Sequence, residues 1–260
     1  MRLDMPASPA AAPALETRGL AKSLGGIPIA RGIDFRLETG ERRALIGPNG
    51  AGKTSFINLV TGHLAPSSGR IWVGGEDVTA LPPEARVKRG IGRTFQINTL
   101  FAALSVLENV LLPLSERRGI AGRMFRAAAA DAGLAEEGWA LLERLGLAED
   151  AARPVRELPY GRQRLVEIAI AIALRPKVLL LDEPAAGVPS AEAGIIIETI
   201  AGLPRDIAVL IVEHDMDLVF RVARRITVLV QGAVLVEGTP SEIAADPRVR
   251  AVYLGEAAAS

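Results

Sequence analysis

Cysteine is absent from the chain. That excludes a disulfide framework, a thiolate-bound zinc and a thiol nucleophile, and it is compatible with a reducing compartment. Histidine occurs only at His63 and His214, too few for a multi-histidine metal centre. Lysine occurs at four positions, Lys22, Lys53, Lys88 and Lys177, so nearly all positive charge is arginine. Neither sign of charge dominates, because 30 Lys+Arg face 30 Asp+Glu. A nucleic-acid binder working through a general positive field is therefore excluded, and basic stripes with interleaved aromatics are also missing. Aromatic residues make up only 4%. Nor is there an apolar run of the roughly 18 to 20 residues that a membrane-spanning helix needs. The most apolar stretch, residues 165–181, is broken by Glu167, Arg175, Pro176 and Lys177.

What is present is an ample core. Hydrophobic residues are 49% of 260, enough for one large α/β domain, or a core domain with a smaller lobe. Residues 1–14, rich in Pro and Ala with an early Asp4, read as a flexible tail without the apolar centre of a signal peptide. Residues 33–37 alternate apolar and charged side chains, as a half-buried strand does, and residues 43–46 and 70–73 read as further strands. Phe56, Ile57, Leu59 and Val60 have helical spacing over residues 54–64. Residues 100–158 are helix-like, with Trp139, Leu142 and Leu145 assigned to one helical face. Residues 178–181, 208–212 and 226–230 are compact apolar runs, as expected of strands buried on both faces of a parallel sheet. The division expected is a tail (1–14), the first part of a core (15–97), a helical lobe (98–164) and the rest of the core with a C-terminal segment (165–260).

The strongest chemical signal is Gly47-Pro48-Asn49-Gly50-Ala51-Gly52-Lys53-Thr54, followed by Ser55. It matches G-x-x-x-x-G-K-[ST] between a strand and a helix, where backbone N–H groups and the helix N-terminus face phosphates. On this chain's composition the pattern is expected by chance only about 0.003 times. Lys53 would reach the β- and γ-phosphates of ATP and the Thr54 hydroxyl would ligate Mg²⁺. A second apolar strand ends in Asp182-Glu183, placing one carboxylate near Mg²⁺ and the next as a general base for water. His214 follows another buried strand; it either reaches a γ-phosphate or its attacking water, or is a surface-turn histidine. Gln96, where core gives way to lobe, is a candidate Mg²⁺ ligand and γ-phosphate sensor. His63 falls where it would cap a helix C-terminus.

With Leu158-Pro-Tyr-Gly-Arg-Gln163 added, this set resembles the ATP-binding subunits of ABC transporters in order and spacing. The strings GIGRTFQ, LFAALSVLENV, DEPAAG, EHDMDLVF and EGTPSEIAADPRVRAVYLGE resemble the LivG-type subunits of branched-chain amino-acid importers. The resemblance implies a P-loop NTPase core of RecA-like α/β fold, with a parallel sheet, an antiparallel β part and an inserted helical lobe. It implies ATP hydrolysis with Mg²⁺, a head-to-tail pair of such subunits, and a signature (Pro159, Tyr160, Gly161, Arg162, Gln163) that acts on the partner's ATP from the start of a helix near Arg162. It further implies a peripheral protein on the cytoplasmic face of the membrane, held by permease subunits and served indirectly by a periplasmic or extracellular solute-binding protein, without nucleic acid. The helical lobe and residues 97–109 would dock the permease, although Phe101 and Leu104 read equally well as lobe core.

Three departures stand out. Pro159 replaces the family's signature serine and has neither hydroxyl nor N–H. Pro189 replaces an Asn or Asp expected to communicate across the dimer. Leu24 stands where an aromatic residue would stack on adenine, which points to weaker or less base-selective binding. The two prolines imply an asymmetric dimer, in which this chain's phosphate loop, Glu183 and His214 work with a partner's signature. Alternative functions are an ABC ATPase for another solute such as urea, a non-transport ABC-type ATPase, and a nucleotide-sensing module with weak hydrolysis. A GTPase is disfavoured by the lack of an Asn-Lys-x-Asp motif.

Overall fold

The computed structural model of the chain describes residues 12–94, 100–120 and 132–257. In chain order the first part holds β1 (Leu15–Leu24), β2 (Ile27–Leu37), β3 (Arg42–Ile46), α1 (Lys53–Thr61), β4 (Ser68–Val73), β5 (Glu76–Asp77), α2 (Pro83–Lys88) and β6 (Ile91–Arg93). The lobe follows, with α3 (Val106–Arg117), α4 (Ala132–Arg144), two short 3₁₀ turns and α5 (Tyr160–Ala173). The last part holds β7 (Val178–Asp182), α6 (Ser190–Ala201), β8 (Ala208–Val212), α7 (Met216–Val222), β9 (Arg225–Val230), β10 (Ala233–Gly238), α8 (Pro240–Ala245) and α9 (Pro247–Ala257).

Two sheets form. One has the order β10-β9-β3-β8-β7-β6, parallel throughout except for the β9–β10 pair; the other, β2-β1-β4-β5, is antiparallel. The apolar runs read as two-face strands behave accordingly. In β7, Val178 and Leu180 pack toward α1 and the antiparallel sheet, while Leu179 and Leu181 pack toward α5 and α6. β8 alternates in the same way, and the alternation makes β3, β7 and β8 the buried centre of the molecule. Their C-terminal ends lie side by side, because β3 and β7 both pair with β8. Open parallel sheets bind ligands at that edge.

Four strands escaped the sequence reading, among them the two-residue β5. In β1 the period-2 pattern breaks at Gly19, whose φ is 56° and where the pairing with β2 and β4 shifts register, so the buried residues are Leu15, Thr17 and Leu20. β6 has only three residues, and β10 is only partly buried.

The lobe is built on α3. Ser105 and Glu108 form a reciprocal capping box, Glu108 N–H donating to Ser105 Oγ (3.2 Å) and Ser105 N–H to Glu108 Oε2 (2.7 Å). α4 presents Leu134, Gly138, Leu141 and Leu142 to the lobe core, and Leu145 joins them just past its end. Trp139 departs from the expected face: it is 48% exposed, because Gly138, packed close to Leu107 and Leu111, places its neighbour outward. The expected boundary at residues 164/165 falls inside α5, a continuous helix shared by lobe and core. The same helix starts at Tyr160, two residues before the expected Arg162, because Pro159 is a favourable N-terminal neighbour with φ of −55°. His63 is not the cap of α1. That position is Gly62, whose left-handed backbone (φ 85°) lets its N–H donate to Leu59 O, while His63 Nδ1 lies 3.0 Å from Thr61 Oγ1.

Candidate functional site

β3 ends at Ile46 and the chain turns at once into the Gly47–Gly52 loop. Gly47 has no substitute here: a Cβ would collide with the carbonyl oxygen of Leu229 on β9. Gly52 caps α1 with φ of 101°, a left-handed conformation in which its Cβ would also press on Ile29 O at 2.8 Å. The loop is pinned from outside by Gly232 N–H donating to Ala51 O (2.8 Å), and Gly232 O in turn accepts from Arg31 N–H (2.7 Å). The first N–H groups of α1 have no intrahelical acceptor, and the helix dipole adds partial positive charge there. Lys53 Nζ lies across the loop, donating to Gly47 O (2.6 Å) and Pro48 O (3.1 Å).

Asp182, the last residue of β7, is 4% exposed. Burial pushes its carboxyl above the ordinary value. The Arg93 guanidinium pulls the other way (Nη2 to Oδ2, 3.2 Å), the Glu183 charge adds to the rise, and Lys53 opposes it. Arg93 also donates from Nη1 to Asn58 Oδ1 on α1 (2.8 Å), so one arginine joins the helix of the phosphate loop to the acid of β7. Glu183 adopts φ of 48°, unusual for a residue with a side chain. Its N–H donates to Val212 O at the end of β8 (2.9 Å), which brings His214 alongside: His214 Nδ1 lies 3.6 Å from Glu183 Oε1.

These elements enclose a cavity of about 560 Å³, lined by residues 49–55, Asp182, Glu183 and Val212, with Ile27, Pro28, Ile29, Arg31, Gln231 and Gly232 on the far wall. Leu24 does not line it. Although 51% exposed, Leu24 ends β1 at the hairpin, and the apolar wall facing the phosphate loop is Ile27 and Ile29 from β2. Gln96 lies outside the described residues. The signature segment lines a different place: Tyr160 neighbours Gly187, and the Gly161 N–H donates to Glu192 Oε2 (3.0 Å) on α6. Arg162 is held by Asp150 (Nε to Oδ2, 2.7 Å), and Gln163 Nε2 donates to Leu158 O (2.9 Å). No signature residue reaches this chain's own phosphate-loop cavity. A roomier cavity, about 1100 Å³ between α2 and α3, carries none of this chemistry. Arg31, Arg93 and Gln231 are the parts of the site that the sequence reading missed. Arg93 carried a signal, since it sits within the GIGRTFQ string ahead of Gln96.

A family model described as "ABC transporter" matches residues 30–186, from β2 through the loop after Glu183. The chain belongs to the ABC transporter ATP-binding family. A second model, "Branched-chain amino acid ATP-binding cassette transporter", matches residues 233–259 of this cassette. Among curated relatives, the high-affinity branched-chain amino acid transport ATP-binding protein BraF of Pseudomonas aeruginosa is 38% identical over 254 residues, covering 94% of this chain and 99% of the relative. LivG of Salmonella typhimurium, with the same description, is 39% identical with the same coverage. Among solved structures, an ATP-binding cassette of an ABC transporter in its ADP conformation superposes with a TM-score of 0.81 at 29% identity, covering 94% of this chain and 99% of that one. The P-loop NTPase fold and the family's ATP binding thus stand together with the geometry of the site.

Proposed function

We propose that this chain is the ATP-hydrolysing subunit of a branched-chain amino-acid importer, working on the cytoplasmic face of a membrane through permease subunits. The observation that carries the hydrolytic part is the convergence of the phosphate loop, Asp182 and Glu183 on one cavity, with His214 beside Glu183. The choice of cargo is supported by near full-length likeness to LivG and BraF and by the match at residues 233–259. Among the described residues no helix is long and apolar enough to cross a membrane, so contact with the bilayer is assigned to the permease. A solute-binding protein outside the membrane completes the set of partners.

The loop N–H groups and the α1 dipole bind the phosphates, and Lys53 exchanges its two carbonyl acceptors for phosphate oxygens. The residues present fit a divalent cation, since the exposed Thr54 hydroxyl and the Asp182 carboxylate face the same cavity. Bound there, Mg²⁺ would neutralise charge developing on the phosphates. Glu183 takes a proton from water as the oxygen bonds to the γ-phosphorus and the bond to ADP breaks. His214 holds that water and the γ-phosphate in line. The partner's signature closes the site, a role that this chain's Pro159–Gln163 segment performs for the partner's nucleotide.

The test is ATP hydrolysis by the purified chain with its permease in lipid vesicles. Glu183→Gln is expected to lower the rate at least about 100-fold, the usual range for a general base. A fluorescent ATP analogue should still bind within about twofold of the unmodified affinity. Uptake of labelled leucine should fall in step with hydrolysis. Full hydrolysis by the variant removes Glu183 from the role, and hydrolysis without leucine uptake removes the cargo.

A further inference from the structure

Glu213 lies directly before His214, and it is 2% exposed. It does not line the phosphate-loop cavity. Its carboxylate instead lies between two loops. On one side, Oε1 faces the Ala185 N–H at 3.4 Å, in the loop that carries Glu183. On the other, Oε2 faces the N–H groups of His214 at 3.1 Å and Asp215 at 3.5 Å, in the turn that follows β8. His214 Nδ1 is 3.8 Å from the same oxygen and 3.6 Å from Glu183. A buried carboxylate without donors is strongly disfavoured, and burial does push Glu213 upward. Converging backbone N–H groups pull it back, the arrangement that lets an acid persist at such a place.

The loop it holds is strained. Glu183 has φ of 48°, and the turn beyond it is closed by Ala186 N–H donating to Glu183 O (3.0 Å). Left-handed backbone at a residue with a side chain persists only where the surroundings over-determine it. Glu183 N–H on Val212 O secures one end of that turn, and Glu213 Oε1 on Ala185 N–H secures the other. The turn that carries the proposed base and the turn that carries His214 are thus fastened to one carboxylate.

We propose that Glu213 is a positioning residue for hydrolysis: it keeps the Glu183 turn and the His214 turn in register without touching nucleotide. This rests on the reading of Glu183 as the group that activates water. The test is Glu213→Gln in the full chain, which keeps size but sets an NH₂ against backbone N–H groups. Its kcat for ATP is expected to fall about tenfold while KM and fluorescent-nucleotide affinity stay within about twofold. Glu213→Asp keeps the charge and reaches His214 and Asp215 but is too short for Ala185, so its kcat should lie between the two. A purely structural role would lower the rate of both variants only in proportion to folded, nucleotide-binding protein, and that result overturns the assignment. So does an unchanged kcat in Glu213→Gln. Should Glu213→Gln fail to fold, Glu213→Asp decides by the same split between kcat and KM. Glu183→Gln, run alongside, separates the two readings. If it hydrolyses ATP normally, the role of Glu183 fails and takes this one with it. If it is inactive while Glu213→Gln is unaffected, only the role of Glu213 fails.

Discussion

Lys53 is one of four lysines in a chain with no net charge, and it is the lysine that lines the phosphate-loop cavity. A highly anionic ligand is met here by local placement rather than by total charge: loop N–H groups, a helix end and one ammonium. The same contrast appears away from the site at Glu137. Arg117 (2.6 Å), Arg118 (2.9 Å) and Arg175 (2.8 Å) converge on its carboxylate and hold it at about 2, against an ordinary 4.5, with the Arg117 hydrogen bond the largest cause. An acid with a lowered folded value stabilises the fold above its unfolded pKa, and that contribution disappears as pH falls through the folded one. Glu137→Gln should therefore be less stable than the unmodified chain at pH 7, and the gap should close between about pH 4.5 and pH 2 in acid-unfolding curves. Curves that stay parallel through that window would show that Glu137 does not act through its charge.

α1 is held at both ends. Its N-terminus is the phosphate loop, and its C-terminal carbonyls are taken by Arg86, a side chain 2% exposed. Arg86 donates to Leu59 O (2.7 Å), Val60 O (2.8 Å), Thr79 O (2.8 Å) and Leu81 O (2.9 Å), tying the helix to the segment before α2. Arg86→Met leaves those buried carbonyls without a donor, and a loss of about 3 kcal/mol is expected. In a chain of this length, thermal unfolding should register that as a fall of roughly 6 to 12 °C. α5 shows the opposite situation. Pro159 at its N-cap has no side-chain acceptor, and Glu192 from α6 supplies one to Gly161 N–H. Glu192→Ala should cost about 1 kcal/mol, as a lost helix cap does, readable in a denaturant midpoint. No shift in the midpoint would leave the contact without energetic weight. At α3, Asn109 is 1% exposed and bonds Phe101 in both directions, N–H to Oδ1 at 2.9 Å and Nδ2 to O at 3.1 Å. Phe101 itself is 60% exposed, which removes it from the lobe core.

In the whole molecule, the phosphate-loop cavity and the signature are separate surfaces of one chain. A site built from both needs a second subunit. The two prolines at 159 and 189 stand at the N-caps of α5 and α6, neither forming a side-chain cap bond. Under the proposed head-to-tail pairing, they would weaken what this chain offers to a partner's nucleotide and leave its own phosphate loop, Glu183 and His214 untouched. Glu183→Gln in this chain should consequently reduce ATP hydrolysis by the assembled importer more than the equivalent change in the partner subunit. Equal losses would establish a symmetric pair.

The sequence alone determined the phosphate loop and the Asp182-Glu183 strand end, because each depends on neighbours in the chain. Glycine spacing sets a turn, and an uninterrupted apolar run sets a two-faced strand. The tertiary structure decided what depends on pairing between distant segments. Ile27 and Ile29, and not Leu24, line the phosphate-loop cavity, because register in the β1–β2 hairpin sets which residues face the loop. Trp139 turned outward because α4 needed its glycine, not its tryptophan, against α3. Arg93 met Asp182 across 89 residues, and Glu213 met Ala185 across 28. Such contacts carry no local period, since they arise only when β6, β7 and β8 align in one sheet and bring their C-terminal ends to a common edge.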